Sequence, residues 1–222
     1  MAATYEEWIY AIFHHPVSNP EWYWDEAFEA LWEKVADADI VKYMTRLFLE
    51  PELLRHYSLE QVAQSIWFLI GDASPGSAGF ALFEPEVPLA ERVACLGSMT
   101  EFFRRFVAVA APGTGGEAFD PMNGADPFHT ACYMWWDIFP MRFLMEDDEQ
   151  VTVEPELHQA SLKVMEEVLN LPSELCQISA LHGLSHWHAY HEERVDRIVE
   201  AFVAHAPDLT PRVREYLLQK LA

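Results

Sequence analysis

The sequence predicts an all-α fold, and three observations carry that prediction. Apolar residues recur at i, i+3, i+4 and i+7 through most of the 222-residue chain. Ser, Thr, Asn or Asp stands ahead of these runs, followed by Pro or by Glu/Gln three residues on, which is helix-start chemistry. Alternation of period two is confined to Val151–Glu154, too short to make a sheet. Together they predict about ten helices in antiparallel pairs, an irregular α-solenoid or an orthogonal array. One domain over residues 1–222 is expected, with the loop 112–126 as the place where it would divide.

The elements follow in order. Thr4 and Glu7 form a capping box ahead of Trp8, Ile9, Ile12 and Phe13, and Pro16 ends that helix. Asn19-Pro20 reads as N-cap and first helical residue of a second helix bearing Phe28, Leu31, Trp32 and Val35. Asp37 or Asp39 starts a third, with Ile40, Tyr43, Met44, Leu47 and Phe48 on one face, broken at Glu50-Pro51. Ser58 and Gln61 make a second capping box for the apolar run that Gly71 ends. Residues 72–79 are a loop, and a long helix spans Leu89 to Ala111. After the Gly/Pro-rich segment 112–126, Asp126-Pro127 starts a helix apolar almost all round, and such a helix is a buried central one. Pro140 kinks or ends it. Residues 155–169 are amphipathic, residues 176–203 carry a histidine cluster running into another amphipathic helix, and Thr210-Pro211 caps the last.

Composition narrows the partner. The chain is 51% hydrophobic with eight Trp, so a sizeable core is available and global disorder is excluded. Asp and Glu number 36 against 14 Lys and Arg, a net charge of −22. Such a field repels nucleic acid and anionic membranes and attracts basic proteins. Cys95, Cys132 and Cys176 are widely spaced, with no CxxC, and read as buried free thiols of a reducing compartment. The N-terminal stretch has no basic region of the signal-peptide kind, and no apolar run approaches a membrane span. The expected location is the cytoplasm.

Candidate sites are few. His182, His186, His188 and His191 lie within ten residues. His182 and His186, four apart, share a helix face at a spacing zinc uses, and are the leading candidate metal ligands. The third ligand would come from Glu192, His188 or His158. Gly183 follows the first histidine, so this is no HExxH motif. The simpler reading makes these histidines bridges between stacked helices, and no metal or cofactor is assigned. Asp137, inside the apolar helix, needs a partner, with Arg142 or a helix terminus in view. Trp135 and Trp136 point about 100° apart, so Trp136 is a candidate for a binding groove. Trp22, Trp24, Asp25 and Glu29 form an aromatic patch rimmed by acids, the expected contact with a basic partner. No phosphate loop, nucleophile elbow, activated thiol or basic nucleic-acid patch is present, so no catalytic residue is assigned.

Residues 172–222 resemble the closing hairpin of HEAT-like helical repeat proteins. The resemblance rests on Gln177, Ala180, Leu181, His182, Gly183 and Leu184, then on Val195, Ile198, Val199 and Phe202. The rest looks like uncharacterised bacterial all-helical proteins, with SIWFLIG (65–71) and CYMWWDIFP (132–140) as its distinctive stretches. What the resemblance implies is stacked helices and protein binding, with no catalytic residues. The expected function is a non-enzymatic acidic module that binds a basic protein, in concrete form an immunity- or antitoxin-like neutraliser of a basic effector. The alternatives are a metal-dependent enzyme using His182 and His186, and an adaptor that binds a helix or peptide.

Overall fold

Side-chain caps set the start of several helices. The computed structural model describes residues 3–26, 28, 32, 35–71, 76–111, 126–138, 154–206 and 208–220. Helix α1 (Tyr5–Phe13) opens on the Thr4/Glu7 capping box, and α3 (Leu59–Ile70) on the Ser58/Gln61 box, with both reciprocal bonds made in each. Asp126 Oδ1 accepts from the amides of Phe128 and His129 at the start of α5 (Pro127–Ile138). Thr210 Oγ1 does the same for Val213 in α8 (Pro211–Lys220). Between these lie α2 (Asp37–Leu49), α4 (Leu89–Phe102), α6 (Pro155–Leu169) and α7 (Glu174–His205). Helix α4 runs on through a π turn (Phe103–Val107) to Ala110. The fold is all-α, and no strand occurs among the described residues.

One expectation needs adjustment, and several fall outside the described residues. No helix begins at Pro20; a 3₁₀ turn, Trp22–Trp24, follows with Glu21 at its N-cap. The second expected helix falls largely on residues outside the described set. So do the joint at 112–125, Pro140, Arg142 and the Val151–Glu154 run except its last residue.

Helix α7 is two limbs, not one rod. His191 has φ −139° and ψ 39°, outside the helical region. A straight helix of 32 residues would be about 48 Å long. The chain from His205 to Arg212 can span at most about 25 Å. Yet Arg212 pairs with Glu174, at the start of α7, at 3.3 Å. The helix must therefore fold back at His191. The bond from His188 to Asp196, 3.1 Å, closes across this bend, since eight residues of straight helix rise about 12 Å. Residues 174–190 and 192–205 form a helical hairpin.

Contacts arrange the helices in two rows. One row is α2, α4, α6 and the second limb of α7. Arg105, in the π turn of α4, bonds the Leu49 carbonyl and Glu52 just past the end of α2. Arg92 and Thr100 of α4 bond Glu154, at the N-cap of α6, and Glu167 within it, in that order. His158 and Glu166 of α6 meet His191 and Arg194, in that order. The other row is α3, α5, the first limb of α7 and α8. Ser179 donates to the Cys132 carbonyl, and Tyr133, Trp136 and Asp137 meet His182, Gly183 and His186. Glu174 and His182 meet Arg212 and Tyr216. Register increases along both partners in these pairs, so neighbours within a row run parallel. Hairpins stacked side by side give this pattern. Helix α1 closes the near end against α3, where Ser65 donates to the Ile12 carbonyl and Gln61 to that of His15.

The core lies between the rows. Trp135 sits against Phe102, Phe103 and Phe48, with ring centroids 5.1–5.9 Å apart, and Trp136 stacks on Phe103. All three cysteines are buried and free. Burial pushes the Cys95 thiol up to about 12 and the Cys176 thiol to about 11. Arg92 is buried and forms a fork with the two Glu154 oxygens, which holds the Glu154 carboxyl below its usual value.

Gly183 sets the closest approach of α5 and the first limb of α7. A Cβ there would lie 2.7 Å from Trp136 Cγ and 2.8 Å from Met165 Sδ, with Trp136 Cβ nearer still. Gly183→Ala is expected to destabilise the fold by about 1–3 kcal/mol through overpacking. Urea unfolding of the purified variant measures this, as a lower midpoint at unchanged slope.

Candidate functional site

The strongest cluster of chemistry-bearing side chains lies on the row that includes α5, the first limb of α7 and α8. Tyr133 and Asp137 are four apart on α5; His182 and His186 are four apart on α7. Because the two helices run parallel in register, the pairs face each other turn by turn. Tyr133 stacks on His182 with centroids 3.9 Å apart. His186 Nε2 lies 3.3 Å from Asp137 Oδ1. The two imidazoles meet edge to face at 4.6 Å. One donor atom from each of Asp137, His182 and His186 lies within 4.8 Å of the others.

Helix α8 completes the surroundings. Tyr216 Oη lies 2.9 Å from His182 Nδ1 and 3.2 Å from Tyr133 Oη. Burial, then the bond with Tyr133, pushes the Tyr216 phenol well above its ordinary value, so it stays protonated. His182 is buried at 8% exposure, whereas the His186 and Asp137 side chains keep about a third of their surface, 34% and 28%. The inner histidine is thus anchored and the outer pair is open to solvent.

These positions correct the sequence reading on two points. Asp137 meets His186, not a helix terminus, and Arg142 lies outside the described residues. The proposed third ligands point elsewhere. His188 and Glu192 gather with Asp196 across the bend of α7. His158 meets Trp187 and His191 on the wall of a cavity of about 820 Å³ between α6 and α7. Sequence reasoning missed Asp137, Tyr133 and Tyr216 as members of the site. The matching i, i+4 spacings of Tyr133/Asp137 and His182/His186 were the available signal.

The expected binding residues separate by burial. Trp136 is 1% exposed, with Phe103 stacked on one side and Gly183 against it, so it belongs to the core and does not face a groove. Trp22 is half-buried and stacks on His15 at 3.7 Å. Trp24 is 55% exposed, beside exposed Asp25 and Glu26. Glu29 lies outside the described residues.

Comparison with known protein families, curated proteins and solved structures finds no match. No helix among the described residues is long and apolar enough to cross a membrane.

Two histidines couple this fold to pH. Burial lowers the pKa of His15, which lies 2.9 Å from the Pro16 carbonyl and 3.2 Å from Ser65 Oγ. Burial, then the neighbouring His158, lowers that of His191. Unfolding therefore takes up protons that the folded rings refuse. Their contribution is complete above the ordinary histidine value of about 6.5 and is lost as pH falls through the lower folded values. Acid also relieves repulsion within the acidic chain, so the informative quantity is a difference between variants. The fall in urea midpoint from about pH 7.5 to about pH 5.5 should be smaller in His15→Gln than in the wild type. An equal fall in both would refute the coupling.

Proposed function

We propose that this chain is a non-enzymatic acidic scaffold that binds a basic protein. The observation that carries the reading is the charge: 36 acids against 14 Lys and Arg leave a net −22. Part of the basic charge is also spent internally. Arg46, Arg92, Arg104, Arg105, Arg194 and Arg212 all pair with carboxylates of the same chain. A field dominated by one sign speeds encounter with a partner of opposite charge and rejects anionic ones.

Two features support this reading. Stacked hairpins present long, continuous surfaces suited to protein partners. The exposed Trp24 with Asp25 and Glu26 supplies an aromatic anchor in an acidic rim. The concrete form is an immunity- or antitoxin-like protein that covers a basic effector. The HEAT-like character of residues 172–222 belongs to the same proposal, supported by the fold-back of α7 at His191.

The test begins with affinity capture from the producing cell and purification of the basic protein retained. Its association rate with the wild type should fall about tenfold or more as salt rises from about 0.1 M to about 1 M, which shortens the screening length from about 10 Å to about 3 Å. The triple variant Trp24→Ala, Asp25→Lys, Glu26→Lys should weaken binding by about tenfold or more. Retention of no basic protein, or binding indifferent to salt, would overturn the proposal.

A further inference from the structure

We infer that Asp137, His182 and His186 form a binding site for a divalent transition metal of the Zn²⁺ class. The inference is independent of the acidic surface and of any protein partner. It rests on donor type, spacing and support.

Two imidazoles and one carboxylate are the ligand set that borderline divalent ions take from proteins, and three protein ligands leave a coordination position for water. The spacing is close to what an ion requires. Bonds of about 2.0–2.1 Å in tetrahedral geometry hold donors about 3.4 Å apart. His186 Nε2 and Asp137 Oδ1 already stand at 3.3 Å, and the third donor lies within 4.8 Å of both.

The unloaded pair is also poorly served as it stands. His186 Nε2 is buried and, despite its distance from the carboxylate, makes no hydrogen bond. A buried nitrogen this near a carboxylate without bonding to it lacks what an ion between them would supply. No Lys or Arg among the described residues pairs with Asp137.

Support comes from the helices around it. The His182 ring is fixed by the Tyr216 hydroxyl at Nδ1 and by the Tyr133 ring beneath it, the kind of outer contact that orients metal-ligating imidazoles. The contact of Gly183 with Trp136 fixes α5 against α7 and so sets where the carboxylate meets the histidines. The second cluster, His188, Glu192 and Asp196, lacks this support. It lies on the two limbs of one helix, two of its members are exposed, and the His188–Asp196 bond at 3.1 Å accounts for its proximity.

Calorimetric titration of untagged, metal-stripped protein with Zn²⁺ tests the assignment. One equivalent should bind with Kd of about 10 μM or tighter, and His186→Ala and Asp137→Ala should each weaken it by about 100-fold or more. Tyr216→Phe, which touches no ion, should weaken it by about 10- to 100-fold. His188→Ala should leave it unchanged. Should a variant fail to fold, the wild-type protein still decides: imidazole nitrogen resonances of His182 and His186 must shift on zinc addition. Absence of binding tighter than about 100 μM, shifts confined to other histidines, or loss of binding in His188→Ala would overturn the site.

Discussion

The close approach of α5 to the first limb of α7 is the constraint on which the rest depends. Gly183 leaves room for Trp136, and that contact fixes how far apart the two helices stand and how they align along their length. Once the alignment is set, the pair Tyr133/Asp137 must face the pair His182/His186, because both are spaced by four on parallel helices. A larger side chain at residue 183 would separate the helices and disperse the polar cluster along with the core. Packing and site geometry are therefore one property here.

The bend at His191 is the second constraint. It turns a 32-residue helical stretch into a hairpin and returns α8 alongside the first limb. Without it Tyr216 could not reach His182. The bend also places the second limb beside α6, where His158, His191 and Trp187 meet. Each row of helices gains its last member from this one non-helical residue.

Much of this was legible in the sequence. The capping residues Thr4, Ser58, Asp126 and Thr210 all cap as expected, because their chemistry is local. The near-uniform apolarity of α5 correctly marked a central helix between neighbours. What failed depended on register between helices distant in sequence. The partner of Asp137 was sought five residues away at Arg142, yet it is His186. Trp136 was given a share in a groove because adjacent side chains diverge on a helix; instead Phe103 and Gly183 enclose it on different sides. The turn at Trp22–Trp24 was read as a helix start from Asn19-Pro20, a signal that turns and helices share. Periodicity tells which face is buried and says nothing about which residue lies opposite.

An acidic surface and a small, anchored donor cluster share one fold, and the cluster follows from the helix register. Crystals grown with zinc test that connection most directly, by the position of the anomalous signal. One peak is expected within about 2.2 Å of an Asp137 oxygen and a nitrogen each of His182 and His186, with Trp136 against Gly183. A peak held by His188 and Asp196 alone, or α5 and α7 in another register, would contradict it.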